Sequence, residues 1–374
     1  MKHNTNNNKK FPNLRFKEFE GEWEKCQIKD YGTIITGNTP STADSENYQG
    51  EYLWASPADL DIGKFVIETQ TKLSLKGFNK TRKLPFGTIL VTCIGSTIGK
   101  MGMAQQEMST NQQINSIISF PSNNKDYIYY AIKSRFPKYL ALVSVQAVPI
   151  LSKSSFEKLE NYITTKDEQD KIGVFLSLID ERISTQIKII EKFESLIKGL
   201  CRLLIMNNKP TTKIKDCLVC HSSTLSESEI VNDSGIFCVY GATGIIAYTS
   251  QYQIDQNSIL IIKDGSGVGR VQYANGKYST IGTLNSLTAK NNVCLKYLFY
   301  FLSIFNFEKF IVGSEIPHIY FKDYGEAVFY CPSYDEQQKT ANVLTTITDK
   351  VEIEKQMLQK MKEQKQYLLS NLFI

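Results

Sequence analysis

Asp167-Glu168-Gln169-Asp170-Lys171-Ile172 and Asp335-Glu336-Gln337-Gln338-Lys339-Thr340 open two stretches that are one sequence written twice. Residues 149–206 align without a gap onto 317–374 at an offset of 168, the step from Asp167 to Asp335. Leu176 falls on Leu344, Ile179 on Ile347, Lys192 on Lys360 and Leu204 on Leu372. Upstream the match continues at an offset of 170, with Ile89-Leu90 on Ile259-Leu260 and Ile114-Asn115-Ser116-Ile117 on Leu284-Asn285-Ser286-Leu287. Gly95-Ser96-Thr97-Ile98-Gly99-Lys100 likewise falls on Gly265-Ser266-Gly267-Val268-Gly269-Arg270, and Tyr127-Ile128-Tyr129-Tyr130 on Tyr297-Leu298-Phe299-Tyr300. A period of about 170 residues is far too long for a solenoid unit. It is a tandem domain duplication, so the chain should make one kind of contact twice.

The ends of the two copies predict long helices. Ile172, Leu176, Ile179, Ile183, Ile187, Ile190, Ile197, Leu200 and Leu204 recur at spacings of three and four, with a polar step near Phe193 and Glu194, a stripe narrow enough for a coiled-coil seam. Thr164, Thr165 or Asp167 can cap the start, and Asn207-Asn208 before Pro210 ends it. The second copy runs from about Asp335 to Phe373, its stripe interrupted at Glu354 and Lys365. A lone helix of this length exposes its seam. The economical partner is the other copy, antiparallel, along Leu176, Ile179, Ile183 and Ile190 against Leu344, Ile347, Val351 and Leu358. Packing of each helix on a separate core is the alternative.

Ahead of each helix lies a β-biased module. Thr88–Thr92 and Ser258–Ile262 read as buried strands, each followed by a Gly-rich turn, and helices are expected over about 125–136 and 295–306. Ile28-Lys29-Asp30 pairs with Ile214-Lys215-Asp216 at an offset of 186, so the second module has lost about 16 residues before its turn. The expected fold is α+β: two mixed α/β modules in tandem, joined by two long antiparallel helices forming an intramolecular coiled coil. The expected divisions are a tail over 1–10, modules over 11–150 and 208–325, a central helical region over 151–207 and a C-terminal one over 326–374.

Bulk properties narrow the class. A chain of 374 residues with 42% hydrophobic and 22% charged residues is ordinary for a soluble globular protein, and no apolar run reaches the roughly 18 residues a membrane span needs. The Asn- and Lys-rich start lacks the apolar core of a secretory signal, and the eight cysteines sit without regular spacing, so a cytoplasmic protein with reduced thiols is expected. A net charge of +5 permits nucleic-acid binding without arguing for it.

Most chemistry-bearing motifs fail on spacing. Gly95 to Met101 is one residue short of a P-loop and has Met101 where a Mg²⁺-binding hydroxyl belongs, and Gly265 to Gly269 is mis-spaced for a dinucleotide fingerprint. Cys217-Leu218-Val219-Cys220-His221 matches a haem-attachment pattern, but only scattered Cys238 and Cys294 could complete a zinc site, so no metal is expected. With only His3, His221 and His318, a histidine-based triad has little to work with. Both turns share exposed N–H groups, a Ser and a terminal cation, a set suited to phosphate or base-edge contact. A bend that simply closes a curled sheet fits equally well. The chain reads as one that binds and does not catalyse.

The order of module, helix, module, helix resembles the specificity subunit of Type I restriction–modification systems over nearly the whole chain. Phe11-Pro12-Asn13-Leu14-Arg15-Phe16 with Trp23, Gly37-Asn38-Thr39-Pro40, Asn111-Gln112-Gln113, Tyr240-Gly241-Ala242-Thr243-Gly244 and the repeated Asp-Glu-Gln carry the resemblance. The first copy departs at Thr164-Thr165-Lys166, where the family commonly has prolines; the second keeps Pro332. The resemblance implies a non-catalytic reader of double-stranded DNA, each module a target recognition domain for half of a bipartite, asymmetric site. It also implies two docked modification (methyltransferase) subunits, which bring S-adenosylmethionine while this chain holds no cofactor, and room for restriction (motor and nuclease) subunits. The candidate DNA-binding residues are Asn38, Thr39, Lys80, Arg82, Ser96, Lys100, Asn111 and Gln112 in the first module. In the second they are Thr243, Lys263, Ser266, Arg270 and Lys277. The competing expectation is a cytoplasmic coiled-coil scaffold that binds two copies of a protein partner and never touches DNA.

Overall fold

The structure, a computed structural model, describes residues 10–141, 149–230 and 235–374. The tail before Lys10, with His3, lies outside the described residues. Contacts divide the chain into two units, one of residues up to Ile187 together with Gln356–Ile374, the other Lys188–Lys355. Each long helix contributes to both units.

In the first unit, Ile89–Thr92, apolar up to its last residue, is fully buried because it runs inside a five-stranded sheet. Ile114–Ser119 and then Gly32–Thr36 lie to one side, Met101–Ala104 and Phe65–Val66 to the other. A smaller sheet joins Lys72–Leu73, Tyr48–Ala55 and Ser109–Thr110. In the second unit the same role falls to Ser258–Ile262, between Leu284–Ala289 (with Leu218–Ser222 beyond it) and Val271–Ala274. A second sheet orders Gly244–Thr249, Phe237–Gly241, Lys277–Thr280 and Ile254–Asp255. The duplication holds to the register: Leu90 faces Ser116, and Leu260 faces Ser286.

Helices Lys125–Leu140 and Leu295–Ser303 pack on these sheets. The first outlasts its expected end, with Pro137 carried inside it; the second stops three residues early, where Phe305 and Phe307 turn into the core. The long helices span Lys166–Cys201, continued by one wider turn over Arg202–Met206, and Tyr334–Asn371. The second is capped reciprocally. The Ser333 hydroxyl accepts from the Glu336 N–H, and the Glu336 carboxylate accepts from the Ser333 N–H at 3.3 Å.

Within each unit the helix segments run antiparallel. In the first, Leu176 shares a core with Leu369, Leu372 and Phe373, while Asp180 pairs with the earlier Lys365. In the second, Cys201 and Ile205 share a core with Ala341 and Leu344, and Glu194 pairs with Lys355 at 2.7 Å. Of the seam candidates, Leu176, Ile190, Leu344 and Val351 are buried, and Ile179, Ile183, Ile347 and Leu358 are half-buried. The antiparallel sense is as expected, but the opposition of 176–190 to 344–358 is corrected: Leu176 shares a core with residues near 370 and Leu344 with residues near 203.

Candidate nucleic-acid interface

The two Gly-rich turns are one structure built twice. Gly95 and Gly99 both have φ of 95°, and Gly265 and Gly269 have 91° and 84°, the left-handed region glycine enters at little cost. A Cβ on Gly99 would sit 2.6 Å from the Phe136 ring and one on Gly269 3.0 Å from Phe307, so each turn lies on an aromatic of its own module. The chain after each module closes over it. The Gly95 N–H donates to the Pro149 carbonyl and the Gly265 N–H to that of Pro317, each at 3.0 Å.

The expectation of a row of exposed N–H donors is cut back to the tips of the turns, Ser96-Thr97 and Ser266-Gly267. The N–H groups of Gly95, Ile98, Gly99 and Lys100 all donate within the protein, as do those of Gly265, Val268, Gly269 and Arg270. The rest of the turn backbone is committed to closing the hairpin, which pairs its own donors first. The side chains stay open. Among the described residues those of Ser96, Lys100, Ser266, Arg270 and Thr243 have no hydrogen-bond or ion-pair partner; Ser96, Ser266, Arg270 and Thr243 are exposed and Lys100 half-exposed.

The remaining candidates sort differently. The Asn38 side chain donates to the Lys80 carbonyl and accepts from the Arg82 N–H, each at 2.9 Å, which pins the 80–82 loop. Lys80 meets Asp44 at 3.2 Å and Asn47 at 2.8 Å, and Arg82 donates to the Thr36 carbonyl. Asn111 is buried and bonded through both ends of its amide to Gln113. These four hold the loops in shape. Thr39 donates to the exposed Gln112, so the two present one polar patch. Lys277 lies 3.6 Å from Asp255 with its ammonium over the Tyr252 ring.

Lys263 lines a cleft of ≈ 440 Å³ in the second unit, with Asp264, Asn285, His318, Tyr320 and Lys322 among its walls. The His318 Nδ1 is 2.7 Å from the Asp264 carboxylate, bridging the turn to the segment that closes it. The equivalent bridge in the first unit is apolar, Ile94 to Ile150. The Cys217–His221 motif converges on nothing: His221 meets the Thr288 hydroxyl, and among the described residues no group of three or more metal-ligating side chains assembles.

Sequence reasoning missed why Asp-Glu-Gln is repeated. The buried Gln169 accepts from the Asn124 N–H at 2.9 Å and donates to the Thr164 carbonyl at 2.8 Å. Gln337 accepts from the Cys294 N–H and donates to the Pro332 carbonyl, each at 2.9 Å. Asn124 and Cys294 are the residues that start each module's own helix, so the glutamine rivets module to long helix. Glu168, fully buried, takes a bidentate Arg15 at 2.8 Å and the Trp23 indole N–H at 3.2 Å. The influence of the neighbouring Cys217 thiol lowers the Cys331 thiol from its ordinary value to about 7.

Comparison with known proteins accounts for the duplication. Residues 20–194 and 204–363 each match the Type I restriction modification DNA specificity domain. The chain is 29% identical over 196 residues to the Type I restriction enzyme MjaIX specificity subunit of Methanocaldococcus jannaschii, a match covering 50% of this chain and 45% of that one. It is 31% identical over 202 residues to the HindI specificity subunit of Haemophilus influenzae, covering 53% and 40%. The match therefore spans under half the length of these two relatives. To the MjaVIII specificity subunit of M. jannaschii it is 22% identical over 417 residues, covering 95% and 94%. Among solved structures, a Type I restriction-modification S subunit from M. genitalium has the same fold, with a TM-score of 0.66, 19% identity and coverage of 97% and 99%. No helix among the described residues is long and apolar enough to cross a membrane. With two copies of the domain filling most of its length, the chain belongs to the Type I restriction modification DNA specificity family.

Proposed function

We propose that this chain is the DNA-reading subunit of a Type I restriction–modification complex and performs no chemistry of its own. Residues 11–150 and 208–325 are the two reading modules, each for one half of a bipartite target. The observation that carries this is the pair of matched turns that end on unpartnered cations, Lys100 and Arg270, in a chain of the specificity family. A cation at the lip of such a turn suits a phosphate or a guanine edge, because its charged donors meet no acceptor within the protein. Ser96 and the Thr39–Gln112 pair in the first module, and Ser266, Thr243, Lys263 and Lys277 in the second, are the further polar side chains offered to DNA.

The long helices are the docking surface for two modification subunits, which supply S-adenosylmethionine and the methyl transfer; a restriction subunit joins the same assembly. Val174, Leu178, Leu196, Ile353 and Met357 stand exposed on them, an apolar allotment that favours protein partners. The same residues also suit a scaffold with no DNA contact, and one experiment separates the two. Cells that express this chain with its modification subunits should carry methylated adenines at one bipartite sequence, and the purified complex should bind that duplex with steep salt dependence. Genomic DNA without a new methylated motif, alongside a stable protein complex, would leave the scaffold.

A further inference from the structure

In the first unit a buried ionic cluster lies where module meets helices. Lys64 donates to Asp126 at 2.5 Å and to the Ser177 hydroxyl at 2.6 Å, with its ammonium over the Tyr130 ring. The Tyr130 hydroxyl donates to Asp180 at 2.6 Å, and the other Asp180 oxygen takes Lys365 from the second long helix. The side chains of Asp180 and Lys365 are each 17% exposed, so each charge is largely withdrawn from water and depends on its partner.

The second unit repeats the latch without the charges. The Tyr300 hydroxyl, counterpart of Tyr130, meets Thr345 at 3.2 Å and Thr348 at 3.1 Å. These threonines are the counterparts of Ser177 and Asp180 at the offset of 168, and the counterpart of Lys365 is Ile197. One position pair thus holds Asp and Lys in one unit and Thr and Ile in the other.

Because the helices descend from one sequence, each could also pair antiparallel with the same helix of a second copy. We infer that the Asp180–Lys365 pair is a pairing code that admits the two unlike helices of one chain and rejects like helices of two chains. Two first helices would set Asp180 against Ile197, and two second helices would set Lys365 against Thr348. Either arrangement buries a charge without a counter-ion. Only the unlike pairing satisfies both, so the pair acts mainly through what it forbids.

The test uses the full-length chain. Two differently tagged copies are denatured together, refolded at high protein concentration and captured through one tag. The parent and Lys365→Arg should return almost none of the second tag. Asp180→Thr or Lys365→Ile alone should lower the thermal midpoint by several degrees, since each strands its partner. Asp180→Thr with Lys365→Ile makes every pairing a Thr–Ile pair. It should regain the midpoint yet return several-fold more of the second tag than the parent. A double variant with a normal midpoint and no mixed-tag species would overturn the code, as would single variants with unaltered midpoints.

Discussion

Gln169 shows what one side chain does when the backbone around it has a donor and an acceptor to place. Its amide satisfies the Asn124 N–H and the Thr164 carbonyl, both away from water, so Gln169→Ala strands two polar groups. We expect a loss of about 1–3 kcal/mol in denaturant unfolding, and the same for Gln337→Ala. Gln169→Glu should not rescue it, because the carboxylate cannot donate to Thr164. Lys100→Ala and Arg270→Ala should each flatten the salt dependence of DNA binding by about one unit if the cation meets a phosphate. An unchanged slope with discrimination lost at one base pair would assign that residue to base reading instead. Cys331, drawn down to about 7 by the Cys217 thiol, should be the first cysteine alkylated at neutral pH, and Cys93, pushed up to about 12 by burial, among the last. Peptide mapping after brief iodoacetamide treatment checks the order. The repeated Asp-Glu-Gln was legible as a repeat, but its work was not. Glu168 finds Arg15 at 153 positions' separation, and no local pattern marks a partner so far away.

At the scale of elements, the period of apolar residues located both long helices, because amphipathic spacing is a local property. It placed their ends within about two residues, and those of the modules' own helices less well. Pro137 does not stop its helix, since Phe136 and Tyr139 are already held in the core. The turns were recognised from glycine spacing, with closure of the sheet and contact with a ligand left as equal readings. Gly99→Ala should destabilise by about 1–3 kcal/mol, because a methyl in left-handed backbone would collide with the Phe136 ring. Gly265→Ala meets nothing within 4 Å and should show the backbone cost alone. Equal losses in thermal unfolding would mean that Phe136 yields freely and the turn is not seated on it.

For the whole molecule, duplication is the property the sequence displayed most openly, and with it the fold class and the tandem order of modules. The asymmetry between copies was hidden, because Asp180, Lys365, Thr348 and Ile197 gain meaning only when paired in space. Exchange of residues 11–150 for another module of this kind should alter one half of the methylated motif and leave the other intact. A change in both halves, or in neither, would end the assignment of one module to one half-site. The division into units carries a consequence for how the protein is made. The unit of Lys188–Lys355 is continuous in the chain, whereas the core around Trp23 and Tyr127 is completed by Leu369, Leu372 and Phe373. A ribosome therefore delivers the first module early and the residues that seal it more than 200 positions later. The earlier-born unit thus waits unfinished through the second half of translation, and the later-born one is complete in the chain before the sealing residues arrive. Messages cut short near their end should yield chains whose second unit resists protease and whose first does not.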